Sequence, residues 1–208
     1  MNSKIAETIG LQNNPVAIMW TDTSPEGAAE FKAGRWGCVM SMIASIAAKG
    51  RVAAFSRETY GCQGGGVGLG FGNCYKTFPG GIDGFYGFLA AGNEKTEVGR
   101  QIANGMALSG AKQMADDFLL GERYVKTAEK AKQFVDWLPM RDIAAKYAVV
   151  KPLNAVDPEK DQVQNVTFFV EPDALSALAV LANYSEPDKE NVRMVHAAAC
   201  KVMGILSY

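Results

Sequence analysis

Four thiols and a single imidazole carry the reactive side-chain chemistry of this sequence: Cys38, Cys62, Cys74, Cys200 and His196. The cysteine spacing, C-x23-C-x11-C-x125-C, matches no zinc finger, thioredoxin motif or ferredoxin run. Cys62 and Cys74 lie inside "YGCQGGGVGLGFGNCYKTFPGG", Tyr60 to Gly81, which packs nine glycines into 22 residues. Such bare backbone permits close approach by a ligand or by a second chain segment. Three chemistries compete for it: a phosphate cradle, a thiolate-held metal or cluster, and a thiol nucleophile.

The phosphate reading finds no motif. No window satisfies G-x-G-x-x-G, because Gly66, Gly68, Gly70 and Gly72 alternate, and G-x-x-x-x-G-K-[ST] is absent from the chain. If the segment is extended, Val67, Leu69 and Phe71 point one way and naked backbone the other. If it is helical, the glycines allow tight packing at a cost in stability. Either arrangement suits a bulky prosthetic group, and Gly64, Gly65 and Gly66 are the candidate cofactor-facing positions. A tightly packed turn with no ligand is the bland alternative.

Metal chemistry fits the cysteines unevenly. Structural zinc sites pair nearby ligands as C-x2-4-C, which this chain lacks, whereas iron–sulfur clusters draw thiolates from distant parts of a fold. Phe71, Tyr75, Phe78, Phe85, Tyr86 and Phe88 follow closely and would keep water from a cluster, although such residues also serve as plain loop packing. Buried cysteine is also an ordinary small hydrophobe. Any Cys–His mechanism must pass through His196, four residues before Cys200, and a lone histidine near an apolar segment is more often structural.

The elements that must position these groups follow from periodicity. "PVAIMW", "RVAAFS", "KYAVVKPL" and "QNVTFFVE" read as strands, and "NVRMVHAAAC" as a final strand or extended piece. Trp36, Val39, Met40, Ile43, Ile46 and Ala47 recur at helical spacing, with Gly50 as the stop. On that helix Cys38 falls in the first turn, opposite the Trp36–Ile43–Ala47 stripe, at the positive end of the dipole; it is placed like a ligand or nucleophile. "TEVGRQIANGMALSG", "ERYVKTAEKAKQFVDWLPM" and "PDALSALAVLANYS" read as further helices, the last with Pro172 at its first position. The carboxylate pair Asp116–Asp117 sits on polar helix surface. The order predicts an α/β or α+β fold, a mixed β-sheet with flanking helices in one compact domain over 1–208.

Composition narrows the function classes. The chain has 208 residues, net charge −1 and 48% hydrophobic content, which is ordinary for a globular protein. Its scattered Lys and Arg argue against nucleic acid, and no apolar run is long enough to span a bilayer. The N-terminus lacks the layout of a signal peptide, so the expectation is a cytoplasmic, reducing setting in which thiols are free, metal-bound or catalytic.

The ordered set "NPVAIMW", "GRWGCVMSMIASIAAKGRVAAFS", "GCQGGGVGLGF", "VVKPL…NVTFFVEPDALSALAVLA" and the late cysteine resembles the DUF169 family of uncharacterised bacterial and archaeal proteins. The resemblance runs from about Pro15 to Cys200. It implies that one cysteine before a helix, one before the glycine-rich "LG" segment and one near the C-terminal end belong together, which fall here on Cys38, Cys62 and Cys200. Cys74 has no place in that pattern. Members continue further past the late cysteine, so the ending at Tyr208 departs from it.

The leading expectation is therefore a [4Fe–4S] cluster on Cys38, Cys62 and Cys200, with Cys74 as candidate fourth ligand and zinc as the alternative metal. Redox, sulfur or small-molecule chemistry would follow at the cluster, with a redox partner or a small-molecule substrate. A cluster-free small-molecule binder with a glycine-rich pocket loop, and a thiol enzyme using Cys62 or Cys38, are the other two readings. Substrate and oligomeric state are left open.

Overall fold

The computed structural model describes residues 2–192. Along the chain run helix α1 (Lys4–Thr8), strand β1 (Val16–Thr21), α2 (Val39–Lys49), β2 (Ala53–Phe55), α3 (Gln63–Leu69), α4 (Gly81–Leu89), α5 (Glu97–Leu108), α6 (Lys112–Leu120), α7 (Ala128–Asp136), β3 (Tyr147–Pro152), β4 (Val163–Thr167) and α8 (Pro172–Ala182). Short 3-10 turns occupy Cys74–Thr77 and Leu153–Ala155. The architecture is α+β. Four strands in the order β2-β3-β1-β4 pair antiparallel throughout, and an isolated parallel bridge joins Ala29 to Ala53.

The sheet forms because its strands are short apolar runs whose side chains alternate between two faces. Val16, Ile18, Ala53, Phe55, Ala148 and Val150 join the main core with α2 and α3. Ala17, Met19, Ala54 and Val149 face the other way, against Leu153 and Val156. On α2, Val39, Ile43, Ile46 and Ala47 supply the buried stripe, and Gly50 ends the helix in the left-handed conformation at φ 67°.

Three boundaries differ from the sequence expectation. Helix α2 begins at Val39, so Trp36 lies in the preceding loop at 56% exposure instead of on the core stripe. Helix α7 begins at Ala128, because Thr127 caps it by accepting a hydrogen bond from the Lys130 N–H at 3.3 Å; Tyr124 is left exposed. Pairing in β4 stops at Thr167, and Pro172 opens α8 shortly after. Helices α1 and α4 have no counterpart in the sequence expectation, while Asp116 and Asp117 lie exposed on a helix, α6, as expected. The extended piece expected at "NVRMVHAAAC" lies, from its third residue onward, outside the described residues. No helix among the described residues is long and apolar enough to cross a membrane.

Candidate functional site

Two of the candidate cysteines stand where α2 and α3 begin. Cys38 is the N-cap of α2, with extended backbone at φ −79° and ψ 110°, and its Sγ accepts from the Ser41 N–H at 3.4 Å. The sulfur thus takes the place of the usual capping oxygen. Cys62 is the N-cap of α3, also extended, at φ −114° and ψ 153°, and is buried, while Cys38 is half-buried. No disulfide joins Cys38, Cys62 or Cys74.

Glycines press the two helix starts together. Gly61 has φ +77°, and a side chain there would meet the Gly37 carbonyl oxygen at 2.6 Å and the Phe31 ring at 2.6 Å. Gly37 abuts the same ring, which packs on Phe55 of β2 with centroids 5.9 Å apart. One turn further on, a side chain at Gly65 would stand 2.8 Å from Val39 Cβ and 3.1 Å from Cys62 Sγ. The residues just before each cysteine are therefore in backbone contact, and the first residue of α2 lies against the first turn of α3.

Cys74 belongs to a different environment. Its Sγ donates to the Phe71 carbonyl at 3.3 Å and fills the space beside Gly66, where a Cβ would be only 2.6 Å away. Burial pushes this thiol up to about 11, against the opposing pull of Arg57 and with the help of Asp142 and Cys62. It is a neutral core thiol.

The first part of the glycine segment is the helix α3, and protein fills the space beside Gly65 and Gly66. Gly65 receives Val39, and Gly66 receives Cys74 and the Tyr60 ring; Gly64 is half-buried. Beyond α3, the Gly70 carbonyl accepts from Ile143 N–H at 2.8 Å, and Gly72 N–H donates to the Arg141 carbonyl at 2.8 Å. Arg57 locks the same junction, donating to Asp142 Oδ1 and the Ile143 carbonyl, both at 2.6 Å, while lying over the Phe71 ring. The Trp20 indole donates to the Leu69 carbonyl at 3.1 Å.

The expected cysteine-ligated cluster is not supported. Among the described residues no group of three or more His, Cys, Asp or Glu side chains is arranged to hold a metal ion, which overturns the [4Fe–4S] reading and its zinc variant. The physical reason lies in the sulfurs' own partners: Cys74 is turned into the core toward Phe71, and Cys38 caps α2. Cys200 and His196, the remaining candidates, lie outside the described residues.

The juxtaposition of Gly37 and Gly61 was missed, although the sequence carries a signal for it. An aromatic–Gly–Cys tripeptide occurs twice, as Trp36-Gly37-Cys38 and Tyr60-Gly61-Cys62, each at a helix start.

Fold and site together define an α+β protein with two cysteine-led helix starts in contact. The chain belongs to the DUF169 family, described as Uncharacterised ArCR, whose model matches residues 4–208. No curated protein and no solved structure matches it.

Proposed function

We propose that the junction of α2 and α3 is a thiol-dependent small-molecule site in which Cys38 is the reacting group. The observation that carries this reading is the Gly37–Gly61 contact, which brings together two helix starts, one led by a half-buried cysteine and the other by a buried one. Cysteine used only as core filler resembles Cys74, enclosed and hydrogen-bonded to a carbonyl. Cys38 instead is partly open to solvent, at the end of a loop in which Lys32, Arg35 and Trp36 are exposed. Its cap interaction is a single N–H···S hydrogen bond to a weak acceptor, given up at little cost when the sulfur attacks an electrophile. The cytoplasmic setting expected from the sequence would keep such a thiol reduced.

Reactivity mapping tests the reading. Folded protein treated briefly with iodoacetamide under reducing-agent-free, metal-free conditions should carry the label at Cys38 first, with Cys74 unmodified until the protein is denatured. Labelling of Cys38 no faster than Cys74 would sink the proposal.

A further inference from the structure

Two thiols on touching backbone segments can do more than one thiol can. Resting on the reading of Cys38 as the reacting group, we infer that Cys38 and Cys62 form a dithiol pair that reduces small disulfides, with Cys62 as the resolving thiol. A protein disulfide bridges Cα atoms about 4.4–6.8 Å apart, so two cysteines can pair only where their chain segments approach closely. Gly37 and Gly61 are such segments, and both lack the side chain that would hold them apart. The Phe31 ring covers both glycines and is anchored on Phe55, so the approach is built into the core. Cys62 Sγ already points to the face of α3 that packs on Val39, the residue after Cys38.

The difference in burial assigns the roles. The Cys38 thiolate attacks one sulfur of a substrate RSSR; a Cys38–S–S–R bond forms, the RS–SR bond breaks, and the departing RS⁻ takes up the proton that Cys38 released. Cys62 then gives up its proton and attacks Cys38 Sγ. The Cys38–Cys62 bond forms as the second RSH leaves, so two electrons pass from the dithiol to the substrate. A thiol reductant returns the pair to its starting state. A half-buried attacking sulfur admits a slim, low-molecular-weight disulfide more readily than one enclosed in a folded protein.

The competing inventory is small. Cys74 is near enough to Cys62 to feel its charge, but it is enclosed behind Gly66 and hydrogen-bonded to the Phe71 carbonyl, so no substrate reaches it. The apolar face of α8, with Leu175, Val180 and Leu181 exposed, has nothing to say what covers it. A cleft lined by Ser3, Glu7, Asn13, Asn14 and Asn154 has no reactive group beyond one carboxylate.

The test uses the full chain, fully reduced, mixed with glutathione disulfide and, separately, with the uncharged hydroxyethyl disulfide. After an acid quench, unreduced digests are read by mass spectrometry. Wild type should accumulate the Cys38–Cys62 disulfide. Cys62→Ser should stop at a mixed disulfide on Cys38, at roughly tenfold or more above the wild-type level, and Cys38→Ser should give neither species. Serine is a favoured N-cap, so both variants keep their helix starts. A wild-type reaction that halts at the Cys38 mixed disulfide, or pairs Cys38 with Cys74 or Cys200, overturns the dithiol inference and leaves the thiol site standing. Cys38 inert to both disulfides and to iodoacetamide overturns both.

Discussion

Cys38, Cys62 and Cys74 share a side chain but not an environment, and the contrast fixes what each sulfur can do. Cys74 is 6% exposed, hydrogen-bonded to a carbonyl, and pushed by burial up to about 11. Its folded form holds the proton more tightly than the unfolded chain does, where a thiol ionises near 9. The stability gained from burying the neutral thiol is complete below pH 9. It is lost as the pH rises toward 11, because the unfolded state sheds its proton first. Urea unfolding between pH 8 and 11 should show a loss of about 2 kcal/mol, and Cys74→Ala should flatten that alkaline decline while lowering stability at neutral pH. An equally steep decline in Cys74→Ala would place its cause elsewhere. The capping role of Cys38 was only partly readable: its position off the core stripe was visible, but the cap lies one residue outside the helix, and only the backbone turn at Val39 shows that.

At the scale of elements, α3 is the least expected feature. Glycine in a helix interior costs about 1 kcal/mol relative to alanine, and α3 carries four of them: Gly64, Gly65, Gly66 and Gly68. The helix exists because two of those glycines, Gly65 and Gly66, let Val39, Cys74 and Tyr60 close on it. Gly66→Ala therefore gains helix propensity but loses more in overpacking, since its Cβ would be 2.6 Å from Cys74 Sγ and 2.8 Å from the Tyr60 ring. A net destabilisation of about 1–2 kcal/mol is expected, read from the urea midpoint; unchanged or higher stability would mean that the neighbours move aside cheaply. Strands β1, β2 and β3 were legible because each is an apolar run ended by a turn or charge. The start of α7 was not, since the apolar period continues back past Thr127 and the cap cuts it off.

Across the whole molecule, the sheet carries the helices that hold the site, and its outer strand needs a tie. Lys151 of β3 donates to Asp161 Oδ2 at 2.6 Å, and both side chains are more than four-fifths buried. Asp161 also accepts from the Asp157 N–H at 2.8 Å, so one carboxylate closes the connection between β3 and β4. Asp161→Asn leaves Lys151 enclosed without its counter-charge and should cost about 3 kcal/mol in thermal or urea unfolding. The exposed pair Lys132–Asp136 is a fitting control, since Asp136→Asn should change stability by no more than about 0.5 kcal/mol.

Sequence alone carried the strand runs, the stripe of α2, a class mixing helices with a sheet, and the membership in DUF169, because these are local periodicities or their order along the chain; the antiparallel pairing that makes the class α+β came from the tertiary structure. It also offered the thiols as the reactive groups. Which thiols meet was decided only in three dimensions. The family resemblance implied that cysteines converge on a metal, yet the neighbours of each sulfur depend on contacts between segments apart in the chain: Gly37 with Gly61, Gly65 with Val39, Gly66 with Cys74. A glycine carries no sign in the sequence of what it admits. Tertiary packing filled these positions with the chain's own groups, and so brought the helix starts of Cys38 and Cys62 together while enclosing Cys74.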